Sequence, residues 1–166
     1  MERRKQCTQT GLRFEDAAFR LINATPGYQF IKTRYGSDND LSGVDGYLVI
    51  GKERYPTQVK SPMRSGTICF EYRNVNGDLG WGANSLIKRL ASWRNANDLY
   101  IIDLDCMRSA IGTPPTNPIK CNMGQANGWW YSRPHRADVC IEKTYDWLDE
   151  QLITYHVLRV QDEFMH

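Results

Sequence analysis

Residues 44–61 read V-D-G-Y-L-V-I-G-K-E-R-Y-P-T-Q-V-K-S, two stretches of strand-forming residues on either side of Gly51-Lys52-Glu53. A short glycine-containing break between two such runs folds back as a β-hairpin. A hairpin constrains the chain closely, because it fixes both the pairing and which side chains share a face. Side chains alternate along a strand, so Gln58 and Lys60 point one way and Val59 the other. Thirteen positions separate Asp45 from Gln58, and the turn falls near their midpoint. The hairpin therefore brings Asp45, Gln58 and Lys60 together at one end of a sheet.

The flanking sequence extends this into a mixed α/β architecture. Phe14, Ala17, Ala18, Leu21 and Ile22 recur at helical spacing and predict a helix over 10–24, capped by Thr10 and ended by Thr25-Pro26-Gly27. Strands are expected over 28–34, 44–50, 54–61 and 67–73, with a polar turn at 36–40 that includes Asp38 and Asp40. Residues 74–82 read as a Gly- and Asn-rich loop. Leu86, Ile87, Leu90, Ala91 and Trp93 suggest a second helix over 84–96, and Leu-Tyr-Ile-Ile within 98–104 a buried strand. The expected order is α-β-β-β-β-α-β, a mixed central sheet flanked by helices. Beyond it, three prolines and two glycines mark 112–125 as loop, followed by a strand over 137–142, a helix over 145–152 and a strand over 153–160.

Composition limits the function classes. The 166 residues, 41% hydrophobic and 24% charged, suit one domain with its own core. No apolar run is long enough to cross a membrane, and none follows Met1-Glu2-Arg3-Arg4-Lys5 to form a secretory signal. Cys7, Cys69, Cys106, Cys121 and Cys140 are odd in number and lack C-x-x-C spacing, and the three histidines form no H-x-x-H pattern. A disulfide framework or zinc site is therefore not expected, and reduced thiols in a cytoplasmic compartment are. Net charge is only +2, but residues 1–35 carry seven Lys or Arg against three acids, and 142–166 carry six acids against two. Such a division suits a basic face toward phosphate as well as it suits ordinary solvated surfaces.

The Asp45, Gln58 and Lys60 set suits phosphodiester chemistry. Magnesium takes hard oxygen ligands, which the Asp45 carboxylate and the Gln58 side-chain carbonyl supply, and Lys60 places a cation beside a phosphate. Asp40, and Glu71 on the next strand, are further acids that could approach such an ion.

An aspartate, a hairpin and then Gln58-x-Lys60 resembles the PD-(D/E)XK, or restriction-endonuclease-like, nuclease superfamily in its Q-x-K variant. The resemblance covers residues 8–104 and implies an α-β-β-β-α-β core, with 105–166 as a C-terminal extension. It also implies an Mg2+-dependent endodeoxyribonuclease, with Mn2+ able to substitute. Branches such as archaeal Holliday-junction resolvases and Mrr-like restriction enzymes place an acid on the first core helix as an extra metal ligand, and Glu15 holds that place here. Two departures stand out: Gln58 replaces the acid of the D/E-x-K element, and Val44 precedes Asp45 where the family has proline.

Double-stranded DNA is then the expected partner, cut by a homodimer or larger homo-oligomer with one site per strand. Lys52, Arg54 and Arg64 flank the hairpin, Lys88, Arg89 and Arg94 fall on the expected second helix, and Arg133 and Arg136 follow Trp129-Trp130-Tyr131. These cations are the candidate phosphate contacts. The tryptophans read as core or dimer contacts first and as base-stacking groups second. The loops 74–82 and 112–128 are the candidates for entering a groove. Within this class a homing or restriction-type endonuclease stands first and a Holliday-junction resolvase-like nuclease second. A catalytically inactive DNA-binding protein on a nuclease scaffold is the alternative that Gln58 keeps open, and a protein-interaction module is the third.

Overall fold

The computed structural model describes residues 2–34, 37 and 43–161, with side chains from residue 9 onward. Asp38, Asp40 and most of the expected 36–40 turn lie outside the described residues. The chain opens with helix α1 (Glu2–Ala24), longer at its N-terminus than its apolar stripe indicates. Ala18, Leu21 and Ile22 are buried, with Phe14 and Ala17 packed beside them as the spacing predicts. Thr25 Oγ1 donates to the Leu21 carbonyl, and Gly27 turns the chain at φ 84°.

Strands β1 (Tyr28–Lys32), β2 (Gly46–Ile50) and β3 (Glu53–Lys60) form an antiparallel meander with register Gly46↔Thr57 through Ile50↔Glu53. Gly46 is required in this meander. A β-carbon there would lie 2.4 Å from the Phe30 ring and 2.8 Å from the Ile31 carbonyl oxygen. The exposed edge of β1 is partly covered by Asn23, whose Oδ1 accepts from Phe30 N at 3.0 Å.

The chain then leaves this sheet for β4 (Thr67–Arg73) and returns through β5 (Arg89–Trp93) and β6 (Asp98–Asp103). Helix α2 (Leu104–Ile111), strands β7 (Ile119–Lys120), β8 (Tyr131–Ser132) and β9 (Val139–Thr144), helix α3 (Tyr145–Glu150) and β10 (Tyr155–Arg159) complete it. One sheet has the order β1-β2-β3-β5-β6-β10, antiparallel except for the β3–β5 pair. The other has the order β4-β9-β8-β7.

The helix expected over 84–96 is instead strand β5, preceded by turns. Leu90 joins the core between the two sheets, whereas Ala91 and Trp93 pack under α1. A central strand buried on both faces shows no polar alternation, and its apolar residues here coincide with helical spacing. The carbonyls of Gly82, Asn84 and Ile87 are satisfied by the Arg108 guanidinium of α2, at 2.6, 2.5 and 2.5 Å. Backbone groups that a helix would have bonded internally are thus met by one side chain from a distant element.

The molecule is therefore a mixed α/β fold whose main sheet has different covers on its two faces. Helix α1 covers one, and Trp93 Nε1 ties that helix to β5 by donating to the Phe14 carbonyl at 2.9 Å. The other is covered by the second sheet with α2 and α3, through a core that includes Phe70, Trp81, Leu90, Ile102, Trp130 and Leu148. The strand expected over 98–104 and the hairpin are present, while the helix expected over 84–96 is strand β5 and a second sheet packs on the main one. Among the described residues no helix is long and apolar enough to cross a membrane. No disulfide joins the described cysteines.

Candidate functional site

The β2–β3 register ends at Gly46↔Thr57, and Asp45 stands one residue before β2. Two backbone bonds hold Asp45 there: its N–H donates to Thr57 O at 2.9 Å, and its carbonyl accepts from Thr33 N at 3.0 Å. Its carboxylate lies against β3, where Oδ2 accepts from the Val59 N–H at 2.7 Å. Val59 lies between Gln58 and Lys60 on β3, so the Asp45 carboxylate reaches the strand segment that carries both side chains. Val59 points the other way, into the core under α1.

Gln58 is only 7% exposed, and its Oε1 is buried with no hydrogen-bond donor among the described residues. A buried acceptor in this state costs about 1–3 kcal/mol, so an oxygen left this way calls for an explanation. Gly43, at φ 88°, approaches it closely: a β-carbon there would lie 3.3 Å from Gln58 Oε1 and 3.2 Å from Trp81 Cβ. Lys60 Nζ sits 5.2 Å above the Trp81 ring. Trp81 itself is buried and packs against Phe70 with ring centroids 5.8 Å apart.

Trp81 and Glu71 are the site residues that sequence reasoning under-weighted. The segment carrying Trp81 is strapped to β4 by Gly80 N donating to Tyr72 O at 2.8 Å and Gly82 N to Glu71 O at 2.9 Å. Burial pushes the Glu71 carboxyl above the usual carboxylate range, while the Lys60 charge and the Trp81 backbone N–H pull it down. The 74–82 segment, expected to be a groove-entering loop, therefore has its second half fixed, with Leu79 bridged to Arg73. No local sequence signal announces this long-range pairing.

Glu15 does not join Asp45 and Gln58. It lies on α1, its carboxylate 3.6 Å from Lys32 Nζ, on the opposite face of the main sheet from Gln58 and Lys60. Asp16 pairs with the same lysine at 2.8 Å. Among the described residues no group of three or more His, Cys, Asp and Glu side chains is placed to hold a metal. The donor chemistry still suits a hard divalent ion such as magnesium, since Gln58 offers an amide oxygen without a donor among the described residues and Asp45 a carboxylate anchored on the same strand.

The candidate phosphate contacts divide. Lys52 and Arg54 sit at the turn end of the hairpin, away from Asp45, and Arg54 stacks on Tyr47 at 4.8 Å. Arg64 is exposed, four residues past Lys60. Lys88 is paired with Asp105 at 3.2 Å. Arg89 is on strand β5 rather than a helix, 3.7 Å from Asp103 and 4.0 Å from the Tyr55 ring, on the α1 face. Arg94 lies just past β5 and donates to Tyr100 Oη at 3.0 Å. Arg133 is bound to the buried Asp138, whereas Arg136 is exposed. Of the tryptophans, Trp93 and Trp130 are core and Trp129 is 59% exposed.

Comparison with protein-family models, with curated proteins and with solved structures finds no match.

Proposed function

We propose that this chain is a metal-dependent DNA endonuclease of the PD-(D/E)XK type, hydrolysing phosphodiester bonds at a site built from Asp45, Gln58 and Lys60. One observation carries the reading: Gln58 Oε1 is buried with no donor among the described residues, on the strand whose Val59 N–H fixes the Asp45 carboxylate. A carbonyl oxygen without a donor and an adjacent carboxylate are what a hard cation binds.

Asp45 and Gln58 would hold magnesium or manganese, which supplies Lewis-acid neutralisation of charge on a phosphoryl oxygen. Asp45 keeps one oxygen anchored on β3, so its carboxylate cannot rotate away from the site. Lys60 presents a fixed cation to the phosphate, its ammonium restrained over the Trp81 ring, and offsets negative charge that grows as the phosphodiester is attacked. Exposed Arg64 lies nearest in sequence for holding the DNA backbone, with Lys52 and Arg54 at the other end of the same hairpin. Cutting both strands of a duplex calls for a homo-oligomer with one site per strand. A site-specific enzyme of homing or restriction type is the first form of this reading, and a junction-resolving nuclease the second.

The neutral amide of Gln58 favours one further reading, a DNA-binding protein that has lost cleavage. Plasmid cleavage assayed with Mg2+ or Mn2+ separates the two. The nuclease reading expects cleavage by the wild type and a fall of at least roughly 100-fold in Asp45→Ala and in Lys60→Ala. DNA retention without cleavage by the wild type supports the second reading and rejects the first.

A further inference from the structure

We propose that the chain forms a two-fold dimer by antiparallel pairing of the β10 edge with β10 of a second copy, each copy setting its Leu152 turn over a groove between α1 and Val160 of the other. The inference stands independently of the nuclease reading and names the surface that a homo-oligomer would use. Strand β10 lies at one edge of the six-stranded sheet, and β1 lies at the other. Asn23 occupies the β1 edge: its Oδ1 accepts from Phe30 N at 3.0 Å and its Nδ2 donates to Phe30 O at 3.3 Å. Edge groups covered in this way no longer template another strand. Among the described residues β10 has no such cap. Asp103 N donates to Thr154 O and Val160 N to Asn97 O, so Thr154, His156, Leu158 and Val160 turn their backbone groups toward β6. Tyr155, Val157 and Arg159 turn theirs outward.

The strand is self-complementary in this pairing. Centring it on Val157 sets Tyr155 opposite Arg159 of the partner. Tyr155 Oη donates to Asp149 at 2.7 Å, and the Arg159 side chain is 78% exposed, 3.5 Å from Asp98. Each guanidinium therefore meets a tyrosine ring that carries a carboxylate on its hydroxyl, and half-buried Val157 meets its own copy. A parallel pairing would instead set Arg159 beside Arg159. Strand pairing alone buries little, and stable interfaces cover about 1,200–2,000 Å2 in total, so an apolar anchor is needed. Leu152 supplies it. At 90% exposed it is the least covered large apolar side chain among the described residues, on the turn that leads into β10. The same register carries the partner's Leu152 past Val160. There a groove of about 590 Å3 is lined by Phe14, Ala17, Trp93 and Val160, with exposed Arg13 and Arg20 beside them. Asp149 and Glu150 precede Leu152, so an acidic turn with an apolar tip meets an apolar groove with basic sides. The division of charge between residues 1–35 and 142–166 thus gains a use between copies.

Sedimentation velocity of the full chain across a concentration series tests the pairing, with plasmid cleavage followed in parallel. The wild type is expected to be a dimer at roughly 100 micromolar. Leu152→Lys sets a like charge beside Arg13 and Arg20, and Arg159→Glu sets one beside Asp149. Each is expected to raise the dimer dissociation constant by roughly tenfold or more. Both side chains are exposed, so neither change disturbs the core. Arg159→Glu combined with Asp149→Lys should recover part of the loss, which a general weakening of the fold would not allow. Ile31→Ser, on the capped β1 edge, leaves the constant unchanged. A monomeric wild type overturns the proposal, as does a dimer indifferent to Leu152→Lys and Arg159→Glu or one that only Ile31→Ser weakens. A dimer that responds as expected without cleaving DNA upholds it while rejecting the nuclease reading. Metal-dependent cleavage by a monomer does the reverse.

Discussion

On the face of the six-stranded sheet covered by α1, Lys32 pairs with Glu15 and Asp16, and Arg89 with Asp103. On the opposite face, Gln58 Oε1 is buried without a donor among the described residues, and Lys60 rests on an indole ring. The same β2 and β3 strands serve both faces, so the difference lies in what packs on each. Helix α1 brings Glu15 and Asp16 to Lys32, Asp103 of β6 meets Arg89, and the apolar stripe of the helix closes the rest. The second sheet brings Trp81 on a strap bonded to Glu71 and Tyr72 of β4 and to Arg108 of α2. A closed face contributes stability, and a face with an unsatisfied acceptor is where function is most economically located. This contrast predicts that substitutions on the two faces move stability in opposite directions.

The largest effect is expected at Gly46, on the closed face. Gly46→Ala sets a methyl against the Phe30 ring and the Ile31 carbonyl, both already too near to admit one. Overpacking of this kind costs about 1–3 kcal/mol, and a chain of this size loses roughly 2–4 °C in Tm per kcal/mol. Thermal denaturation measures it, and Phe30→Leu combined with Gly46→Ala should recover part of the loss in a double-mutant cycle. An unchanged Tm for Gly46→Ala would mean that this face is not closed as described.

The opposite sign is expected at Gln58. Gln58→Met keeps the length of the side chain and removes the orphaned oxygen, so it should raise stability by about 1 kcal/mol. The same change is expected to cut metal-dependent DNA cleavage by roughly 100-fold, since the cation loses a donor. Denaturant melts and the plasmid assay on one preparation test the pair of effects together. A clear loss of stability in Gln58→Met would show that Oε1 has a partner in the folded protein, and would remove the main support for a cation there.

The sequence makes some of this contrast visible and hides the rest for physical reasons. The hairpin was legible because alternation and a glycine turn are local signals, and they placed the Asp45 carboxylate against β3. Helix α1 was legible from one apolar stripe, although that stripe did not reveal its first turns. Strand β5 was not, since Leu90, Ala91 and Trp93 are buried on two faces and carry no polar alternation. The face on which Glu15 lies was not legible either. Its nearest neighbour is Lys32 on β1, and that choice depends on how the helix docks rather than on its own spacing. Trp81 and Glu71 were hidden most deeply, because the strap that joins them is held by pairing with β4 and by a side chain from α2. Relations of that kind arise between segments that carry no mutual signature.

The smallest effect belongs to the ion pair that closes the α1 face. The Asp16 hydrogen bond raises the Lys32 ammonium above its ordinary 10.5, with the Glu15 and Asp16 charges adding to it against a modest loss from burial. A base whose folded pKa is raised contributes stability that is fully present below the unfolded value and is lost as pH rises through the folded one. The side chain is 38% exposed, so solvent screens the pair, and its contribution is about 0.2–1 kcal/mol. Lys32→Met should therefore lower stability slightly at pH 7, and the gap between variant and wild type should close as pH climbs above 10.5. Added salt should narrow the same gap at neutral pH, because the charges are near the surface. Paired urea melts of the two proteins at neutral and alkaline pH measure this difference free of the titration of other groups. A gap that persists unchanged at high pH would assign the stabilisation to the packing of the Lys32 methylenes on α1 rather than to charge. The closed face would then owe its closure to apolar contact alone, and the contrast with the Gln58 face would narrow to one between packing and its absence.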